Sequence, residues 1–106
     1  MRRMGDGRLR RKLIDKELIG NKNVSHFVAY LTMSLNDYLT AQETNDKIDM
    51  PIATLYHWLN FWEKVGLIEK IECDGNKIRT RYQYRRLYNR ITITKDGVLF
   101  ELVKEG

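Results

Sequence analysis

The stretch Thr40–Ile68, TAQETNDKIDMPIATLYHWLNFWEKVGLI, decides how the rest of the chain is read. Thr40 with Glu43 three residues later forms a capping box. The threonine hydroxyl accepts from the N3 amide, and the Glu43 carboxylate accepts from the cap amide. This predicts a short helix from Thr40 to Ile48. Asp49-Met50-Pro51 predicts a tight turn, with Pro51 at the first helical position, where its missing N–H would be unpaired anyway. A longer helix over 51–65 follows and stops at Gly66. Leu55, Leu59 and Trp62 supply its buried stripe, flanked by Trp58 and Val65. Ala53, Thr54, His57, Asn60 and Lys64 lie on the opposite side, with Tyr56 and Phe61 at the borders.

Upstream, Ser25 is a candidate cap for a core helix whose stripe is Phe27, Val28, Leu31 and Leu35. Asn36-Asp37 breaks that helix, and Tyr38-Leu39 reads as extended. Between Arg8 and Ile19, Leu9 and Leu13, then Ile14 and Leu18, fall four apart, which predicts another helix ending at Gly20-Asn21. Residues 1–7 carry no apolar pattern. The division expected is a basic N-terminal arm or helix over 1–23 and a domain over 24–106.

Downstream, Leu67 to Cys73 alternates as a half-exposed strand, and Asp74-Gly75-Asn76 is the clearest hairpin turn in the chain. From Ile78 to Tyr84 the alternation resumes, with Tyr82 and Tyr84 on one face and Arg79 and Arg81 on the other. The apolar phase then shifts to Ile91 and Ile93, so a bulge or loop is expected near Arg85–Arg90. Thr94 is a candidate cap for a closing helix with Val98, Leu99 and Leu102 turned inward. The fold class predicted is α+β: a three-helix core, a two- or three-stranded antiparallel wing, and flanking N- and C-terminal helices.

Composition limits the function. With 106 residues there is room for one core but little for a deep cleft. The apolar runs are far shorter than the roughly 18 residues a bilayer span requires, so a soluble, intracellular (cytoplasmic) protein with no membrane partner is expected. Cys73 is the single cysteine, and His26 and His57 have no ligand-type spacing, so no metal and no cofactor are expected. The paired acids Asp15/Glu17, Asp46/Asp49 and Glu69/Glu72 lack a nearby histidine or nucleophile, and no glycine-rich phosphate loop is present. An enzyme is not expected, and no small-molecule ligand is evident.

The charge is arranged in blocks. Residues 1–23 hold eight Lys/Arg against three Asp/Glu, residues 24–66 two against five, and residues 67–106 nine against six. From Gly75 to Lys95 there is no acid. Seven cations stand in those 21 positions, interleaved with Tyr82, Tyr84 and Tyr88. Such a density repels itself unless something neutralises it, and a polyanion would do so. Stacking of the tyrosines on single-stranded bases is a weaker alternative.

The order core helix, short helix, turn, longer helix, hairpin resembles the winged helix-turn-helix family of transcriptional regulators. Thr40–Ile48 looks like its supporting helix. Ala53-Thr54-Leu55-Tyr56-His57-Trp58-Leu59, running into Glu63-Lys64-Val65-Gly66-Leu67-Ile68, looks like its recognition helix entering the first wing strand. Ile91-Thr92-Ile93-Thr94-Lys95-Asp96-Gly97 resembles the T-x-x-G junction before a closing helix. The Lys-, Arg-, Ile- and Tyr-rich composition suits an archaeal, viral or plasmid regulator. The resemblance implies sequence-specific binding of double-stranded DNA, with helix 51–65 in the major groove and the basic wing, 74–90, on the backbone or minor groove. Thr54, Tyr56, His57 and Asn60 would read bases, and Asn60 could pair bidentately with adenine. Lys64, Lys77, Arg79, Arg81, Arg85, Arg86 and Arg90 would meet the backbone. A two-fold homodimer is the expected assembly. The competing reading is a winged-helix module for protein–protein interaction in a replication or transcription assembly.

Overall fold

The computed structural model describes residues 8–19, 25–73 and 81–104. The described elements are β1 (Arg8–Asp15), α1 (Lys16–Ile19), α2 (Ser25–Thr32), α3 (Ala41–Asn45), α4 (Ile52–Lys64), β2 (Ile68–Cys73), β3 (Arg81–Arg86), β4 (Arg90–Thr94) and β5 (Gly97–Val103). They make an α+β arrangement with two antiparallel sheets, one ordered β1-β5-β4 and the other β2-β3. None of the described helices is long and apolar enough to cross a membrane.

The middle of the chain follows local chemistry. Thr40 caps α3 with both halves of the box in place: Glu43 N–H donates to Thr40 Oγ1 at 3.1 Å, and Thr40 N–H donates to Glu43 Oε1 at 2.8 Å. The Asn45 amide donates to the Met50 carbonyl at 2.8 Å, which fixes the turn between α3 and α4. Pro51 is the N-cap of α4 rather than its first helical residue, with ψ at 146°. Gly66, at φ +83°, takes the left-handed backbone that ends the helix. Leu55, Leu59 and Trp62 form the buried stripe of α4 as their spacing requires.

The buried face of α2 lies about one residue away from the expected stripe. His26, Phe27, Tyr30 and Met33 point inward, Val28 and Leu31 are exposed, and Leu35 lies beyond the helix. Aromatic partners decide this rotation. Tyr30 meets Trp62 and Phe100 edge to face, each at 5.4 Å, and His26 stacks on Trp58 at 4.3 Å. The Tyr30 hydroxyl donates to the Leu67 carbonyl at 2.6 Å and accepts from Tyr88 N–H at 3.2 Å. That one phenol ties α2 to the entry of β2 and to the β3–β4 connection, and burial pushes its pKa up.

Both flanking helices are corrected to strands. Residues 8–15 form β1, not a helix, and only Lys16–Ile19 are helical. Residues 97–103 form β5, not a closing helix, and β5 is the central strand, paired to β1 from Asp15↔Gly97 to Arg8↔Val103 and to β4 from Thr94↔Gly97 to Arg90↔Glu101. The near-continuous apolar run of Gly97–Val103 suits a strand with a neighbour on each side, and periodicity alone does not separate such a run from a buried helix. Ile14, Val98 and Phe100 face the helices and join the same buried cluster as Phe27, Tyr30 and Trp62. The Thr94-to-Gly97 motif is a hairpin turn: Thr94 Oγ1 accepts from the Asp96 and Gly97 amides and donates to the Gly97 carbonyl. Gly97 is required by close approach, since a Cβ there would sit 2.1 Å from the Ile14 carbonyl oxygen.

The hairpin expected after α4 is present as β2–β3, in register from Ile68↔Arg86 to Cys73↔Arg81. Its Asp74-Gly75-Asn76 turn lies outside the described residues, as does the boundary placed after residue 23. Leu39 bridges Tyr84, so the extended segment before α3 adds a third, one-residue rung to this sheet. The phase shift after Tyr84 is a change of sheet: the chain leaves β2–β3 at Arg86 and enters the β1-β5-β4 sheet at Arg90.

Candidate nucleic-acid interface

The exposed side of α4 is a ridge with a groove on each flank. A helix turns 100° per residue, so Ala53, His57, Asn60 and Lys64 line up opposite the buried stripe. All four are exposed. Thr54 and Tyr56, also exposed, border the ridge on opposite sides. Among the described residues, the side chains of Thr54, Tyr56, Asn60 and Lys64 make no hydrogen bond or ion pair, while His57 meets the Trp58 ring edge to face at 5.2 Å. Lys64 lies ten residues from Thr54, roughly 15 Å along the axis at 1.5 Å per residue. It therefore marks the far end of the ridge.

On the hairpin side, Tyr56 shares a cleft of about 310 Å³ with Thr40, Gln42, Arg81, Tyr82 and Tyr84. Arg81 is exposed at the start of β3, and its charge is one of the influences that, with the dominant hydrogen bond from the Thr40 amide, hold the Glu43 carboxyl below its ordinary pKa. Tyr84 is buried at the base of the cleft, and desolvation raises its phenol pKa. Lys70 lies 4.3 Å from the Tyr82 ring centroid and 3.6 Å from Glu63. The sequence reading did not single out Gln42 as a site residue. The capping box was the available signal, because it fixes Gln42 at an outward position in the first turn of α3.

On the α2 side, Thr54 and Trp58 border a mainly apolar groove of about 660 Å³ with Val28, Ile48 and Met50.

Within the acid-free stretch, Arg85, Arg86 and Arg90 have internal partners, while Lys95 is exposed. Arg85 pairs with Glu69 at 2.8 Å, donates to the Leu35 carbonyl at 3.1 Å and lies over the Tyr38 ring. Arg86 donates to the Met33 and Tyr88 carbonyls, each at 2.7 Å. Arg90 makes two hydrogen bonds to a buried Glu101, at 3.2 and 3.1 Å, and belongs to the other sheet rather than to the hairpin. These three side chains hold the loop after α2, the hairpin and β5 together. Lys77 and Arg79 lie outside the described residues. Of the eleven site residues, the structure gathers Thr54, Tyr56, His57, Asn60, Lys64 and Arg81 around one ridge and its cleft, and gives Arg85, Arg86 and Arg90 structural partners. Among the described residues no group of three potential metal ligands occurs.

Comparison of the chain with protein-family models, with curated proteins and with solved structures returned no match.

Proposed function

We propose that this chain is a winged helix-turn-helix protein that binds double-stranded DNA and regulates transcription. The observation that carries the reading is the ridge on α4: its polar side chains are exposed, and among the described residues Asn60 and Lys64 make no hydrogen bond or ion pair, on a helix held by the capped α3 and the pinned turn. An α-helix fits the major groove, where Asn60 would pair with adenine and Thr54 would meet thymine methyls. Tyr56 and Arg81, across the cleft, would take backbone phosphates. Lys77 and Arg79, which precede Arg81 in sequence, would add further phosphate contacts.

The test is selection of bound duplexes from a random pool, run in parallel with wild type and Asn60→Ala. A defined site is expected, with discrimination at one or two base positions falling by about 1–3 kcal/mol in the variant. An unchanged site profile would mean that Asn60 does not read bases.

One observation favours the protein–protein module instead. Exposed acids Asp46 and Asp49 stand at the C-cap of α3 and in the turn before α4, and Asp49 lines the groove that Thr54 borders, while Arg85, Arg86 and Arg90 are partnered within the chain. On that reading the random pool yields no enriched sequence and duplex binding is indifferent to Asn60.

A further inference from the structure

We propose that two copies of the chain join through β4, strand Arg90–Thr94 against strand Arg90–Thr94, antiparallel about a two-fold axis at Thr92. The result is one continuous six-stranded sheet. This inference is independent of the DNA-binding reading.

An unpaired edge strand presents backbone donors and acceptors to any strand that can lie beside it, and stable folds blunt such edges with charge, proline, bulges or cover. Of the four edge strands, β3 is met on its outer side by Leu39 at Tyr84, which leaves three for comparison. The β1 edge carries Arg10, Arg11 and Lys12 in succession, so pairing with its own copy would bring cations face to face. The β2 edge carries Glu69, Lys70 and Glu72. The β4 edge, Arg-Ile-Thr-Ile-Thr, has no acid, no proline and no bulge, and four of its five residues are β-branched. Its one charge is neutralised within the chain by Glu101. Among the described residues, β4 has β5 on one side and no strand on the other.

The apolar exposure supports a second copy as the occupant. Ile93 is 68% exposed, more than any other large apolar side chain among the described residues, although it shares a sheet face with the buried Val98 and Ile14. With Thr92 on the axis, Ile93 of one copy lies opposite Ile91 of the other, twice by symmetry, and Arg90 lies opposite Thr94. All five residues of the strand are used, and no like charges meet. A self-complementary patch of this kind closes as a dimer rather than growing as a filament.

Sedimentation equilibrium or native mass measurement of the full chain should give twice the chain mass. Ile93→Lys places a cation in the pair without disturbing a buried site, and should weaken association by at least about tenfold with the thermal midpoint of the monomer unchanged. Leu13→Lys, at an exposed position of β1, should leave the dimer intact. Thr92→Cys in a Cys73→Ser background should oxidise to a covalent dimer, because the two thiols would meet at the axis. A wild-type monomer overturns the proposal. So does a dimer that survives Ile93→Lys, or one in which Thr92→Cys fails to cross-link.

Discussion

The exposed face of α4 and the arginines of the 81–90 stretch were both drawn to DNA by their residue types, but the structure treats them differently. Asn60 and Lys64 are exposed and have no hydrogen-bond or ion-pair partner among the described residues, whereas Arg85, Arg86 and Arg90 bind carbonyls and carboxylates of the same chain. A run of cations without acids in sequence is therefore not a run of free cations in space. Glu69 comes from β2 and Glu101 from β5, and each neutralises an arginine that its own neighbourhood in the chain leaves bare. Among the described site residues, the electrostatic case for a polyanion narrows to Lys64 and Arg81.

This contrast can be broken by mutation. The largest effect is expected for Arg86→Ala, which removes two charge-assisted hydrogen bonds to carbonyls and should lower stability by about 3 kcal/mol, read from the urea midpoint. Duplex affinity of the folded fraction should not change. If affinity fell while stability held, Arg86 would belong with the binding residues. Thr40→Ala should cost about 1 kcal/mol by uncapping α3. The Glu43 half of the same box adds a pH dependence. Its carboxyl is held below the ordinary range, chiefly by the Thr40 amide, so the stabilisation is present above the ordinary carboxylate pKa and fades as pH falls through the folded value. In Glu43→Gln that part of the acid dependence should vanish, which a series of melts across the acidic range would show. Arg81→Ala should have the smallest effect on the fold, under roughly 0.5 kcal/mol, while making the log–log salt slope of DNA binding about 0.9 less steep.

What the sequence revealed follows the range of the interactions involved. The box at Thr40, the Leu55/Leu59/Trp62 stripe and the stop at Gly66 are set by neighbours within a few residues, and they stand where the spacing puts them. The two ends of the chain do not. Leu9, Leu13, Ile14 and Leu18 satisfy a helical spacing, yet residues 8–15 pair with a strand nearly ninety positions away, and nothing local records that partner. Val98, Leu99 and Leu102 fit a helix face equally well until β1 and β4 flank them. The rotation of α2 toward Tyr30 and Met33 likewise depends on Trp62 and Phe100. Helical phase placed Ala53, His57, Asn60 and Lys64 on the exposed side of α4, and they are exposed there. A charge count along the chain does not see that Glu69 and Glu101 lie across the sheets from Arg85 and Arg90.

If DNA is the partner, as proposed, free charge rather than total charge should meet it, and a salt titration of wild-type binding to a selected duplex measures this directly. Neutralisation of four phosphates by Lys64, Lys77, Arg79 and Arg81 predicts a log–log slope of roughly −3 to −4. A slope near zero would contradict binding through phosphates altogether. A slope of roughly −6 would return Arg85, Arg86 and Arg90 to the DNA and contradict the division drawn between the two regions.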